Sequence, residues 1–187
     1  FPAKVNEELP RVLVGGKDCK QPYLASLLNV SAMSFGSLSE NAVRAINIGA
    51  QKGNFYQNTG EGGLTDYHLE GGGDITWQIG TGYFGCRTPE GNFSPEKFSE
   101  KANLPNVKMI EIKLSQGAKP GHGGVLPAAK NTEQIAKIRG VIPHTLILSP
   151  PSHSAFSDPK GLILFIKQLR DLSNGKPIGF KLCIGNT

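Results

Sequence analysis

Three glycine-bearing segments carry side chains that could hold or transform a small anionic ligand. In NTGEGG, Asn58 to Gly63, the carboxylate of Glu61 stands among three glycines. Such a group can accept a hydrogen bond from a ligand or move a proton, although the composition alone is that of a polar turn. In QGAKPGHGG, Gln116 to Gly124, one proline and four glycines surround Lys119 and His122, directly after the apolar run VKMIEIKL that contains Lys113. Its glycines let backbone approach a flat ligand closely, Gln116 offers an amide, and Lys113 and Lys119 offer positive charge. Lys119 precedes most of the glycines and no Ser or Thr follows it, so the spacing of a phosphate-binding P-loop is missing and a nucleoside triphosphate is disfavoured. In SAMSFGSLSE, Ser31 to Glu40, a new helix start beside Met33, Ser34 and Gly36 favours anions. A tight strand-to-helix turn with Met33 in the core is the equal alternative.

Two further residues bear on chemistry. His153 lies in SPPSHSAF, Ser149 to Phe156, with no Asp or Cys at a spacing that would make a triad, which gives nucleophilic hydrolysis little support. Lys181 sits between Phe180 and Leu182 in a strand-like run. A buried lysine is costly unless paired, so Lys181 marks a sheet edge or a ligand contact, and contact is the favoured reading.

The elements that would position these residues alternate between strand and helix. Strands are expected at Leu27 to Met33, Asn54 to Thr59, Val107 to Leu114 and Ile178 to Ile184, each ending in a polar, glycine-bearing segment. A capping box of Ser37 with Glu40 opens the helical run LSENAVRAINIGAQ, with Gly53 as its stop. Ser94 before Pro95 marks a second helix start, and Asn131 with Gln134 a third, ended near Gly140. Ser157 before Asp158 and Pro159 opens PKGLILFIKQLRDL, whose Leu162, Phe165, Ile166 and Leu169 share one face; it stops at Asn174 and Gly175. This order predicts an α/β fold with a parallel sheet, and in either common form of that fold ligands bind at the carboxyl ends of the strands.

Bulk composition narrows the partners. The formal net charge is +5 with pI ≈ 9.1, but the 20 Lys and Arg residues are scattered. That suits a basic pocket for phosphate or carboxylate better than a nucleic-acid surface. No apolar stretch is long enough to span a bilayer and no secretory leader is evident, so a cytoplasmic protein is expected. Cys19, Cys86 and Cys183 lie far apart, which indicates neither a disulfide framework nor a metal site. The chain begins at Phe1 and stops within a strand-like run, as a piece of a longer protein would.

Taken together, SAMSFGSLS, NTGEGG, VKMIEIKLSQGAKPGHGG, SPPSHSAF and GFKLCIG occur in the order and rough spacing of the FMN-binding synthase domain of glutamate synthases. The sequence resembles the shorter, glutamate synthase-like members of that family over about Val12 to Asn186. The resemblance implies a (β/α)8 TIM-type barrel, of which this chain is the N-terminal half with about four βα units: a lead-in over 1–26 and an FMN-binding domain over 27–187 that is incomplete at its C-terminus. It implies an oxidoreductase in which hydride from reduced FMN completes the reductive amination of 2-oxoglutarate to L-glutamate.

By the same resemblance Met33, Ser34, Gly36, Thr59, Gln116 and Lys181 are the cofactor-contacting positions. Lys113 and Lys119 bind the dicarboxylate, and Glu61, Lys119 and His122 are the catalytic candidates. The implied partners are a 2-oxoglutarate-like substrate, a ferredoxin-like or nicotinamide-linked electron donor, and the rest of the barrel or a second copy.

The chain also departs from the family. His122 stands where glutamate is usual, exchanging an anion for a group that titrates near neutrality. Tyr83 in GYFGCRT replaces a basic residue, and Arg87 is displaced along the chain. The iron-sulfur cysteines, the amidotransferase domain and the later DGxxGGTGA segment have no counterpart. The alternatives are an inactive half-barrel serving as a binding or assembly module, and a flavin barrel acting on 2-hydroxy acids or nucleotides.

Overall fold

In the computed structural model, which describes residues 10–116 and 123–183, the first regular element is an antiparallel hairpin of β1 (Arg11–Val14) and β2 (Tyr23–Ser26). It was not expected from the sequence, because strands of four residues give too few alternations to register. Leu27 to Met33, expected as the first strand, is irregular except at Val30, which bridges Gln57 in the parallel sense. Polar side chains break the apolar run here: Ser26 accepts from Leu28 N–H, and Asn29 donates to Ser26 O and accepts from Tyr56 N–H. These local bonds take the place of a longer ladder.

Helix α1 (Glu40–Gly53) follows, with Ser39 as its N-cap instead of Ser37. Ser39 has extended backbone and its side chain accepts from Ala42 N–H, whereas Ser37 lies in a turn bonded to Ser34 O. Asn54 closes the helix in the left-handed region, a conformation asparagine tolerates.

Next come β3 (Tyr56–Asn58) and β4 (Asp74–Ile79). The β4 run DITWQI was missing from the expected strands. It is flanked by GGG and GTG, which mask a strand whose polar Thr76 and Gln78 alternate with Ile75, Trp77 and Ile79. Helix α2 (Pro95–Ala102) begins as expected, with Ser94 accepting from Lys97 N–H and Pro95 in the first turn. Strand β5 (Val107–Lys113) agrees closely with its predicted span.

A small antiparallel pair, β6 (Val125–Leu126) and β7 (Ile147–Leu148), brackets α3 (Glu133–Arg139). The N-cap of α3 is Thr132, one residue beyond the expected Asn131, whose amide is instead engaged with Ile142 O and Thr145 O. Helix α4 (Pro159–Leu172) is capped by Asp158, which accepts from Gly161 N–H, and not by Ser157. It ends just before Asn174 and Gly175, both at positive φ. Strand β8 (Ile178–Lys181) completes the regular elements.

The result is an α/β fold whose main sheet has the order β3-β4-β5-β8, all parallel. Four strands were expected and four are present, but β4 replaces the run at Leu27. One face of the sheet carries Ile75, Trp77, Ile79, Ile110 and Ile112, which pack with Phe98 and Ala102 of α2 and with Phe165 and Leu169 of α4. Trp77 stacks on Phe98 at 5.4 Å. Residues of opposite parity face the other way, and at the carboxyl ends they are polar: Asn58, Gln78, Glu111, Lys113 and Lys181. Among the described residues no helix is long and apolar enough to cross a membrane.

Candidate functional site

The polar face is organised by register. Gln78 lies opposite Glu111, and Lys113 opposite Lys181. Asn58 Nδ2 and Gln78 Nε2 both donate to Glu111 Oε1, at 3.0 and 2.6 Å. Asn58 Oδ1 accepts from Gly60 N–H at 3.0 Å, so one side chain ties the NTGEGG loop to a carboxylate two strands away. Sequence reasoning passed over Glu111 and Gln78. The signal for Glu111 was its period-2 spacing with Lys113, out of phase with Ile110 and Ile112, and for Gln78 its spacing with Thr76 between Ile75, Trp77 and Ile79.

One turn of chain beyond the strand ends, three predicted residues meet. Lys113 Nζ donates to Glu61 Oε1 at 2.7 Å and to Gln116 Oε1 at 3.0 Å, and Gln116 Nε2 donates to Glu61 Oε1 at 2.7 Å. The ring of bonds is largely shielded, with side-chain exposures of 13% for Lys113 and 17% for Glu61. An ion pair in such a place is strengthened by low local dielectric and oriented by the amide. Glu61 packs closely over Gly80: a Cβ there would lie 2.5 Å from Glu61 Oε2 and 2.9 Å from Glu61 Cβ.

The Ser31–Gly36 segment joins the same site. Ser34 Oγ accepts from Gly62 N–H at 3.1 Å, and Gly60, at φ +67, packs so tightly that an added Cβ would be 2.6 Å from Ser34 N. Beneath both loops lies Arg139, only 8% exposed, with Nη2 donating to Phe35 O at 3.3 Å and its guanidinium 4.9 Å from the Phe84 ring. Burial lowers the pKa of Arg139, and the carboxylate of Glu61 partly offsets that. Nothing local in the sequence marks Arg139; its partner Phe35 is 104 residues away.

His153 and Tyr83 lock the other side. His153 Nε2 lies 2.8 Å from Lys113 O, and a carbonyl only accepts, so Nε2 carries the proton. Nδ1 is then an acceptor for Tyr83 O–H at 3.0 Å, while that hydroxyl accepts from Ala155 N–H at 3.1 Å. Burial holds the pKa of His153 below its ordinary value, with the bond to Lys113 and the charge of Glu61 acting in the opposite sense. His153 is therefore a neutral strut that fixes the backbone of Lys113, where the sequence offered only a loop histidine.

Met33 is 37% exposed at the rim, and Gly36 sits over Ile135 and Arg139. Thr59 is fully buried, its hydroxyl donating to Gly60 O and accepting from Gln78 N–H. Lys181 is exposed on β8, an edge strand among the described residues, and it borders a cavity of about 320 Å³ with Val30, Ala32, Asn58 and Glu111. The edge position of Lys181 thus coincides with the border of a cavity. Lys119 and His122 lie outside the described residues. Among the described residues no group of three or more His, Cys, Asp or Glu could hold a metal ion.

The acid, lysine and amide converge at the carboxyl end of a parallel α/β sheet, the end at which ligands of such sheets commonly bind. Residues 4–187 match the family described as the conserved region in glutamate synthase, and the chain belongs to that family. It is 46% identical over 176 residues to the glutamate synthase large subunit-like protein YerD of Bacillus subtilis (strain 168), covering 93% of this chain and 33% of the relative. It is 36% identical over 156 residues to the archaeal-type glutamate synthase (NADPH) of Thermotoga sp. (strain RQ2), covering 81% and 28%. The ferredoxin-dependent glutamate synthase of Cyanidium caldarium is 34% identical over 174 residues, covering 80% and 10%. The chain thus spans a third or less of the length of these curated relatives.

Proposed function

We propose that this chain supplies part of a flavin-dependent oxidoreductase of the glutamate synthase type, acting on a 2-oxoglutarate-like dicarboxylate. In this reading the parallel sheet is the first half of a (β/α)8 barrel, and the carboxyl ends of its strands form the reaction site. The observation that carries it is the closed Glu61–Lys113–Gln116 network at those ends, joined through Gly62 to Ser34.

Support for FMN comes from a cavity of about 320 Å³, within the small-molecule range, that Lys181 lines together with Ala32 and Asn58, next to the Met33–Gly36 loop in sequence. Met33, Ser34, Gly36, Thr59, Gln116 and Lys181 would hold the group, Thr59 through the loop it braces. When bound, FMN supplies the hydride for reduction of the imine formed from the keto acid and ammonia. Lys113 and Lys119 orient the dicarboxylate by charge. Glu61, Lys119 and His122 handle protons, and His153 keeps Lys113 in place. A ferredoxin-like or nicotinamide-linked donor is the expected source of electrons, and the cytoplasm the expected location.

A second reading, an assembly module without flavin, is favoured by β8, an edge strand among the described residues, where Phe180 and Leu182 are about half exposed. The two readings separate on purification of the intact protein. Retained yellow colour, or stoichiometric uptake of added FMN, supports the oxidoreductase. A colourless protein that takes up no FMN leaves only the module.

A further inference from the structure

A second concave region, about 240 Å³ in volume, lies between the loop after β4, helix α2 and the end of α3. Arg87, Lys97, Lys101 and Lys137 line it, with Glu100 as its one carboxylate. A surplus of three positive charges is thereby gathered in one pocket of a chain whose whole formal charge is +5. None of the four cations forms an ion pair among the described residues.

Local structure explains part of this. Lys101 and Lys137 fall in the last turns of α2 and α3, where cations offset the helix dipole, and Lys97 Nζ donates to Arg87 O at 2.9 Å. It does not explain Arg87, which belongs to no helix. Its guanidinium lies 5.6 Å from the Phe84 ring, Nη1 donates to Gly82 O at 3.3 Å, and Nε is buried with no acceptor. Lys97 and Lys101 are moreover four residues apart on α2, a spacing at which like charges repel. Burial lowers the pKa of Lys101, and the charge of Lys97 lowers it further against the pull of Cys86, Glu100 and Asp66. Arg87 and Lys101, the two partly buried cations of this net-positive cluster, are stabilised when an anion enters beside them.

We propose that this pocket binds a phosphate-class anion, either inorganic phosphate or the phosphate of a small phosphomonoester. Arg87 supplies a planar donor fork, and Lys97, Lys101 and Lys137 supply point charges around it. The volume admits the phosphate group and not a dinucleotide. No residue of the pocket is shared with the positions proposed for FMN or the dicarboxylate, so the inference does not depend on the flavin reading.

Calorimetric titration of the intact protein with inorganic phosphate and with glycerol 3-phosphate, in chloride buffer of constant ionic strength, tests it. Saturable binding of one anion per chain is expected. Binding of phosphate alone assigns the free ion; binding of both assigns the phosphate group of a larger molecule. The double variant K97Q/K137Q changes two exposed side chains and retains the wild-type unfolding midpoint, and its affinity falls about tenfold. R87Q lowers affinity at least as much. Absence of saturable binding by both probes, or unchanged affinity in folded K97Q/K137Q, overturns the proposal.

Discussion

Glu61 accepts two charge-bearing or amide donors on a single oxygen, and that economy makes the site sensitive to either donor. Lys113→Met would leave the carboxylate shielded with only the amide of Gln116. A loss of about 1–3 kcal/mol in unfolding free energy is expected from the unmatched group, together with a larger loss of dicarboxylate binding; denaturant titration and ligand titration read the two separately. His68 gives a sharper residue-scale test. Its ring is fully buried, Nδ1 accepts from Thr65 N–H, and Nε2 has no partner, so burial pushes its pKa from 6.5 down to about 4. The unfolded chain therefore binds more protons than the folded one between these values. This contribution is intact above about pH 6.5 and is lost as pH falls toward 4, to a total of about 3 kcal/mol. In His68→Gln the unfolding midpoint should vary less over that range. An unaltered pH profile would remove His68 as the cause. At this scale the sequence marked Glu61, Lys113, Gln116 and Ser34 by their glycine-rich surroundings. It did not mark Arg139, Glu111 or the Tyr83–His153 strut, because each acquires its meaning from a partner far along the chain.

Helices were legible where a cap and a proline coincide, as at Ser94–Pro95, and displaced by one or two residues where several capping side chains compete. Ser37 and Ser39 have the same chemistry, and only backbone geometry decides which side chain meets a free N–H. Strands were legible where the apolar run is long, as at Val107, and illegible for β4, whose polar residues face the site. Two element-scale predictions follow from the caps. Asp158→Ala should cost about 1 kcal/mol by freeing Gly161 N–H at the start of α4. Lys176 Nζ, nearly buried, donates to Ala102 O and Leu104 O at 2.6 and 3.0 Å and so closes the end of α2. Lys176→Met should cost about 1–3 kcal/mol by stranding those carbonyls. Urea midpoints of both variants measure these losses, and wild-type midpoints would show the caps to be idle.

Across the whole molecule the sheet is covered by helices on one face and carries the polar site on the other, with β8 as an edge strand among the described residues. Ile163 and Leu164 on α4 are 65% and 67% exposed, and Phe180 and Leu182 at the end of β8 are about half exposed. Such surface favours association, so the 187-residue chain on its own should show a mass above that of a monomer in light scattering, and a clean monomer would contradict that expectation. The proposed role of the Glu61–Lys113–Gln116 network in a flavin site that accepts a dicarboxylate is read out by titrating the FMN-loaded intact protein with 2-oxoglutarate and following the visible flavin spectrum. A saturable spectral change that is lost in Lys113→Met is expected, whereas a spectrum indifferent to 2-oxoglutarate, or a response unaltered by Lys113→Met, would rule that role out.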